Sequence, residues 1–235
     1  MISQGNCNIQ CILFDCDGVL VDSEAIVNKY FSKELKKLGI VLSEEELLKR
    51  FTGKSAKTVF IELEKSFGIR FAQTDINDML KLIASHLTKE LKAISGINSF
   101  LNFLQKEHRA FCVASSGTLE KIHNSLQVTN LSSYFPTLHI FSAEQVSLGK
   151  PHPDLFLLAA KSMGFSSKDC LVIEDSVPGI QAAQAAGMSV IGFSGGTHAK
   201  YSWYKNLLAE TGVEIFSQFK TIENLFTENR ASYLS

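Results

Sequence analysis

Ile9-Gln10-Cys11-Ile12-Leu13-Phe14-Asp15-Cys16-Asp17-Gly18 is the stretch whose reading decides the fold. A short, nearly unbroken apolar run that stops abruptly at acids reads as a strand buried on both faces, with polar groups at its carboxyl end. Asp15 and Asp17 lie two residues apart, so an extended backbone points both carboxylates to one side and Cys16 to the other, into the core. Gly18 lets the chain turn there and approach a ligand closely. Such a pair could supply a nucleophile and a proton carrier to one substrate atom. On its own it could equally be a turn or a helix cap.

Similar runs recur outward from this one. They are Ala110 to Ala114, ending in Ser115-Ser116-Gly117; Leu138 to Phe141; Cys170 to Ile173, ending in Glu174-Asp175-Ser176; and Ser189 to Phe193, ending in Gly195-Gly196. Helical stretches fall between them: Leu119 to Leu126, Asp154 to Met163 closed by Gly164, and Gly179 to Ala186 closed by Gly187. Glycine just past the last turn is a common helix stop. This alternation predicts an α/β fold with a doubly wound parallel sheet. Ligands of such sheets bind beyond the carboxyl ends of the strands, where the polar turns converge.

From Ser23 to about Lys92 the pattern is helical, without a clear strand. Ile26, Val27, Tyr30, Phe31, Leu35 and Leu38 recur at helical spacing before Gly39, and Ser43 with Glu46 forms a capping box. Further helices are expected from Ser55 to Phe67 and from Asp75 to Leu91. The domain reading is therefore a core of residues 1–22 and 93–235 with a helical insertion at 23–92. The last 35 residues read as a helix, a short strand at Glu214 to Phe216 and a final helical turn. Phe60, Phe67, Phe100, Phe103 and Phe111 are read as core.

The whole chain has 235 residues, 45% hydrophobic and 20% charged, which suits one globular domain with a modest insertion and excludes disorder. Its 23 Lys+Arg against 24 Asp+Glu give a net charge of -1, so no global field attracts nucleic acid or an anionic membrane. Five cysteines, Cys7, Cys11, Cys16, Cys112 and Cys170, form no CxxC pair, which fits neither a disulfide framework nor a zinc site. No apolar run reaches the roughly 18 residues of a membrane span, and no basic segment precedes an apolar one at the N-terminus. A monomer in the reducing cytoplasm is expected.

Ser115, Ser116 and Gly117 offer hydroxyls and backbone N–H groups at a helix start, which suits phosphate oxygens, although an ordinary helix cap reads the same way. Lys150 sits in Gly149-Lys150-Pro151-His152-Pro153-Asp154, a restrained turn that fixes where its ammonium points. Glu174 and Asp175 add two more acids at a strand end, and adjacent carboxylates are costly unless a cation sits between them. Four acids and one placed lysine would repel a dianionic phosphate without a divalent cation. Mg²⁺ suits them, since it takes oxygen ligands from one or two carboxylates, waters and a substrate phosphate.

Phe14 to Glu24, Val113-Ala114-Ser115-Ser116, Gly149 to Asp154, and Ile173-Glu174-Asp175-Ser176 with Gly179-Ile180 and Ala185 to Met188 resemble, in order, the four motifs of the haloacid dehalogenase superfamily. The helical insertion after the first motif resembles the cap of its branch of sugar-phosphate phosphatases and β-phosphoglucomutase. The resemblance implies that Asp15 attacks phosphorus and that Asp17 protonates the leaving oxygen, then deprotonates water. It implies that Ser115 and Lys150 hold the phosphoryl oxygens. It also implies that Mg²⁺ binds Asp15, the backbone carbonyl of Asp17, and Asp175, with Glu174 direct or through water. Asp17 favours phosphomonoester chemistry, because the true dehalogenases lack this second aspartate. The substrate expected is a small phosphorylated metabolite: a sugar, sugar acid or polyol phosphate.

Two positions depart from the mutase. A histidine of many capped relatives falls at Val27, and the cap arginine that grips a second phosphate falls near Ala56. A phosphatase is therefore expected, with a phosphotransferase of the mutase kind as the alternative and a silent binding module as a third reading. Gly53-Lys54-Ser55 imitates the tail of a P-loop, but Leu48 stands where the required glycine should be. Lys54 remains a candidate for the substrate's non-reacting end or a solvated lysine. His198, beyond a glycine turn, is read either as lining the site mouth or as incidental.

Overall fold

The computed structural model describes residues 9–52, 54 and 56–231. The central sheet has six parallel strands: β1 (Cys11–Phe14), β2 (Ala110–Ser115), β3 (Ile140–Ser142), β4 (Cys170–Glu174), β5 (Ser189–Phe193) and β6 (Ile215–Phe216), in the order β3-β2-β1-β4-β5-β6. β1 is central, with Phe14 in register beside Val113 of β2 and Ile173 of β4. That register brings Asp15, Ser115 and Glu174 to one edge.

Both faces of β1 are buried, as its unbroken apolar run requires. Ile12 and Phe14 point into one cluster with Val113, Ile173 and Ile191, covered by α5 (Ile97–Lys106), α6 (Leu119–Val128) and α10 (Phe219–Ala231). The Phe14 ring meets Phe100, Phe111 and Phe135 edge-on at 6.1–6.4 Å. Cys11 and Leu13 point the other way, against Leu155 and Phe156 of α7 (Asp154–Met163) and Ala182 and Ala183 of α8 (Val177–Ala185). Cys16 is buried beside the first cluster. Cys11, Cys16, Cys112 and Cys170 are buried free thiols, and Cys7 lies outside the described residues.

The expected doubly wound sheet is therefore present, with local differences. β1 starts at Cys11, after Ile9, and β3 starts at Ile140, because Leu138 belongs to a short 3₁₀ turn and is 84% exposed. α5 was unassigned from sequence, although Ile97, Phe100, Leu101 and Leu104 are spaced for one buried helical face. The C-terminal segment is a full helix, α10, rather than a turn, and follows α9 (Ser202–Ala209) and β6.

Between β1 and α5 lie α1 (Glu24–Lys37), α2 (Glu44–Phe51), α3 (Ala56–Phe67) and α4 (Gln73–Glu90). They surround their own apolar cluster, including Phe31, Leu35, Leu47, Phe60, Leu63 and Ile83. The Ser43/Glu46 capping box forms as read. Phe67 is 40% exposed at the end of α3 and is not core, whereas Phe103 is half-buried. Gly53 and Ser55 lie outside the described residues, so α3 is described from Ala56. The two crossings into the helical insertion run side by side: the Asp22 N–H donates to the Lys92 carbonyl at 2.9 Å, and Val21 bridges Ala93. Among the described residues, no helix is long and apolar enough to cross a membrane.

Candidate active site

Asp15 directly follows β1, and its N–H donates to the Ile173 carbonyl at 3.0 Å, which locks it against the end of β4. Lys150, on the restrained turn before α7, reaches in from one side with its side chain only 3% exposed. Its ammonium donates to Asp15 Oδ1 at 2.5 Å and to Glu174 Oε1 at 2.6 Å. Glu174 is held from its other oxygen by the Ser176 N–H at 2.7 Å and hydroxyl at 2.8 Å. Asp175 follows, and its backbone carbonyl accepts a hydrogen bond from the Tyr204 hydroxyl at 2.8 Å.

Asp15, Glu174 and Asp175 are all buried, and one carboxylate oxygen from each lies within 4.8 Å of the others. Asp175 Oδ2 is buried without an aligned hydrogen-bond partner among the described residues. Gly18, at φ +80°, is what allows this crowding, because a Cβ there would stand 1.9 Å from Asp175 Oδ2. An oxygen-only set of three acids with one unpartnered oxygen fits a hard divalent cation. Burial raises the Asp15 carboxyl well above the usual range; Lys150 opposes this, while Glu174, Asp175 and Asp17 add to it. Burial and Glu174 raise Asp175 in the same way. Crowding and burial thus favour the protonated forms of Asp15 and Asp175, and a bound divalent cation would favour their ionised forms instead.

The Asp17 side chain does not join these three acids. It accepts hydrogen bonds from the Ser23 hydroxyl at 2.6 Å and the Lys121 ammonium at 2.7 Å. Burial works against its anion, but Lys121, Ser23 and Lys150 outweigh that and hold its carboxyl below the usual range. Of the cation ligands expected from sequence, Asp17 could thus contribute only its backbone. Ser23 and Lys121 were missed in the sequence. Lys121 lies one turn into α6, where Thr118 rather than Ser115 caps the helix by accepting from the Lys121 N–H at 3.2 Å.

Ser115 ends β2, and its hydroxyl accepts from the Gly117 N–H at 3.2 Å. Ser115, Ser116 and Gly117 line a cavity of about 770 Å³ together with Asp15, Asp17, Glu174 and Asp175. The cavity extends from the sheet edge to α1, α3 and α4, where Lys54 also lines it. Lys54 is engaged, however, donating to Glu62 at 2.8 Å. Val27 and Ala56 face the same cavity and offer no charge. Glu24, on the cavity wall at the start of α1, was also missed; burial and the nearby Asp17 push its carboxyl up to about 7. His198 is not at the mouth. It is 2% exposed behind Asp175, and burial lowers its imidazole below the ordinary range.

A family model described as haloacid dehalogenase-like hydrolase matches residues 12–193. The chain is 33% identical over 193 residues to 6-phosphogluconate phosphatase of Escherichia coli (strain K12), covering 82% of this chain and 86% of that one. It is 32% identical over 183 residues to hexitol phosphatase A of the same organism, covering 76% and 80%. Among solved structures, a haloacid dehalogenase-like protein of unknown function from Agrobacterium tumefaciens superposes with a TM-score of 0.82 at 33% identity, covering 94% of this chain and 99% of that one. The family match spans the sheet up to the end of β5, the acids at its edge and the inserted helices, and on it this chain belongs to the haloacid dehalogenase-like hydrolases.

Proposed function

We propose that this haloacid dehalogenase-like phosphatase hydrolyses a small phosphorylated metabolite, a sugar, sugar acid or polyol phosphate, through an aspartyl-phosphate on Asp15 with Mg²⁺ as cofactor. The observation that carries the reading is the buried Asp15 carboxylate, 2.5 Å from the Lys150 ammonium, at the floor of a cavity lined by Ser115, Ser116 and Gly117. Residues 23–92 are taken as the cap, and 1–22 with 93–235 as the core. The paired crossings at Asp22 and Lys92 support that division.

In the first step an Asp15 oxygen attacks phosphorus, the bond from phosphorus to the leaving oxygen breaks, and Asp17 delivers a proton to that oxygen. Asp17 rests against Lys121 with its carboxyl held below the usual range, so the proton it delivers is taken up from solvent in the first turnover and from the attacking water of the preceding cycle thereafter. In the second step Asp17 takes a proton from water as that water attacks phosphorus. The bond to Asp15 then breaks, releasing inorganic phosphate. Ser115, the backbone N–H groups after it and Lys150 hold the equatorial oxygens, where charge develops in the transition state. Asp15, Asp175, Glu174 and the Asp17 carbonyl would hold Mg²⁺, whose charge, when bound, lets a dianionic phosphate approach this acidic floor.

Water rather than a second substrate hydroxyl is the acceptor, because Val27 and Ala56 leave the cap without a cationic grip at those positions. Lys54, released from Glu62, is the cap's candidate for the non-reacting end of the substrate. The test is inorganic phosphate release across a panel of phosphorylated sugars, sugar acids and polyols, with and without Mg²⁺, alongside β-glucose 1-phosphate with a bisphosphate primer. Glucose 6-phosphate forming faster than phosphate is released would favour the mutase. No release from any member of the panel would overturn the reading.

A further inference from the structure

Gly195-Gly196-Thr197-His198 follows β5 and crosses the back of the acid cluster. Thr197 anchors this loop to the first crossing into the helical insertion, its N–H and hydroxyl both donating to Asp22 Oδ1 at 3.0 and 2.9 Å. The next side chain, His198, is 2% exposed, with Nε2 2.9 Å from Asp175 Oδ2. The contact is short but misaligned for a hydrogen bond, and neither ring nitrogen has a hydrogen-bond partner among the described residues. The backbone is built around the ring: a Cβ on Gly18 would stand 2.9 Å from His198 Cε1, and one on Gly196 would stand 2.6 Å from the same atom. Tyr204 meets the imidazole edge-on at 5.0 Å while its hydroxyl holds the Asp175 carbonyl. Asp175 is thus gripped at its backbone by Tyr204 and faced at its carboxylate by His198.

A histidine needed only for packing would gain nothing from a buried polar atom aimed at a carboxylate, since burying polar nitrogens without partners is costly. We propose that His198 is a positioning residue for the cation site: on a small rotation from the 2.9 Å contact its Nε2–H donates to Asp175 Oδ2 and sets the orientation in which Asp175 joins Asp15 and Glu174 as a ligand. The role rests on the metal reading above. Partners that orient ligating carboxylates typically contribute about 10- to 100-fold to metal affinity.

The test is Mg²⁺ binding to the full-length protein by calorimetry, with melting temperatures measured in EDTA. His198→Phe keeps an aromatic ring against Tyr204 and removes the donor; His198→Gln keeps a donor near the Nε2 position. The expected result is a dissociation constant raised about 10- to 100-fold in the Phe variant and restored to within about threefold of wild type in the Gln variant. The EDTA melting temperatures should not explain that difference. Wild-type affinity in His198→Phe, or equal weakening in both variants, overturns the proposal. Should His198→Phe not fold, ¹⁵N-histidine NMR of the wild type decides. An Nε2–H tautomer whose resonance moves on adding Mg²⁺ supports the role, and an Nδ1–H tautomer or an unmoved resonance overturns it. Absence of Mg²⁺ binding by the wild type removes the metal reading itself and this role with it, whereas tight wild-type binding with an unaffected Phe variant removes only the role of His198.

Discussion

The floor and the roof of the cavity are built in opposite ways. On the floor, Asp15, Glu174 and Lys150 spend polar atoms on one another, Asp17 is held by Ser23 and Lys121, and Asp175 Oδ2 is buried with only the misaligned His198 Nε2 facing it among the described residues. On the roof, polar side chains turn back to their own helices: Asn28 donates to the Glu24 carbonyl at 2.9 Å, Thr52 to Leu48 at 2.7 Å and Thr88 to Ala84 at 3.0 Å. Between them stand apolar residues such as Val27, Phe51, Leu80 and Leu87. On the proposed mechanism, electrostatic tension is concentrated at the reacting end, and the inserted helices, whose charged groups on the cavity include Glu24, Lys54 and Lys81, would supply mainly shape and exclusion of water. Substitutions on the floor should therefore act on turnover, and substitutions on the roof on substrate binding.

The largest effect is expected from Asp15→Asn, which keeps the side chain's shape and removes the attacking charge. Phosphate release should fall to background, with no acid-stable phosphorylated protein after quenching. Retained wild-type release would end the covalent reading. Chelation with EDTA is expected to abolish turnover, with Mg²⁺ restoring it and Ca²⁺ restoring it poorly, because the larger and more flexible Ca²⁺ shell suits in-line geometry less well. Full activity after exhaustive chelation would contradict the cofactor assignment. Asp17→Asn should slow release by about 10²- to 10⁴-fold, the usual reach of general acid–base catalysis. A smaller loss would move the proton-carrying role elsewhere.

Smaller effects test the roof. Glu62→Gln frees Lys54 and should lower KM for an anionic substrate, whereas Lys54→Met should raise it, each severalfold and with kcat nearly unchanged. A kcat effect as large as that of Asp17→Asn would erase the contrast between floor and roof. The smallest effect concerns Glu24, whose carboxyl is raised to about 7 by burial and Asp17. Its folded pKa exceeds the unfolded one, so the folded state binds more protons between about pH 4.5 and 7 and stability falls as pH rises through that window. Glu24→Gln should flatten this part of the melting-temperature profile of the metal-free protein and raise the melting point at pH 8 by a few degrees. An unchanged profile would mean that Glu24 carries no such tension.

The sequence by itself determined the parallel sheet, the inserted helices and the acids at the sheet edge. Each of those signals is local: an apolar run ending at Asp15, another ending at Glu174, a proline-restrained Lys150, a capping box at Ser43. Backbone geometry converts such local patterns into position, because strands in one parallel sheet end together. What tertiary structure alone decided are the partnerships between segments far apart in the chain. Lys121 reaches Asp17 across 104 residues, and Thr197 reaches Asp22 across 175. His198 stands behind Asp175 because β5 lies beside β4 and a glycine on each side leaves room for the ring. Lys54 pairs with Glu62 rather than standing free, through rotamers that no spacing encodes. Phe67 and Leu138 look like core in sequence and face solvent, since hydrophobicity alone does not say which face of a helix end or turn is covered. Chain-local rules fix which groups arrive at the edge of the sheet; the packing of distant segments fixes which of them meet.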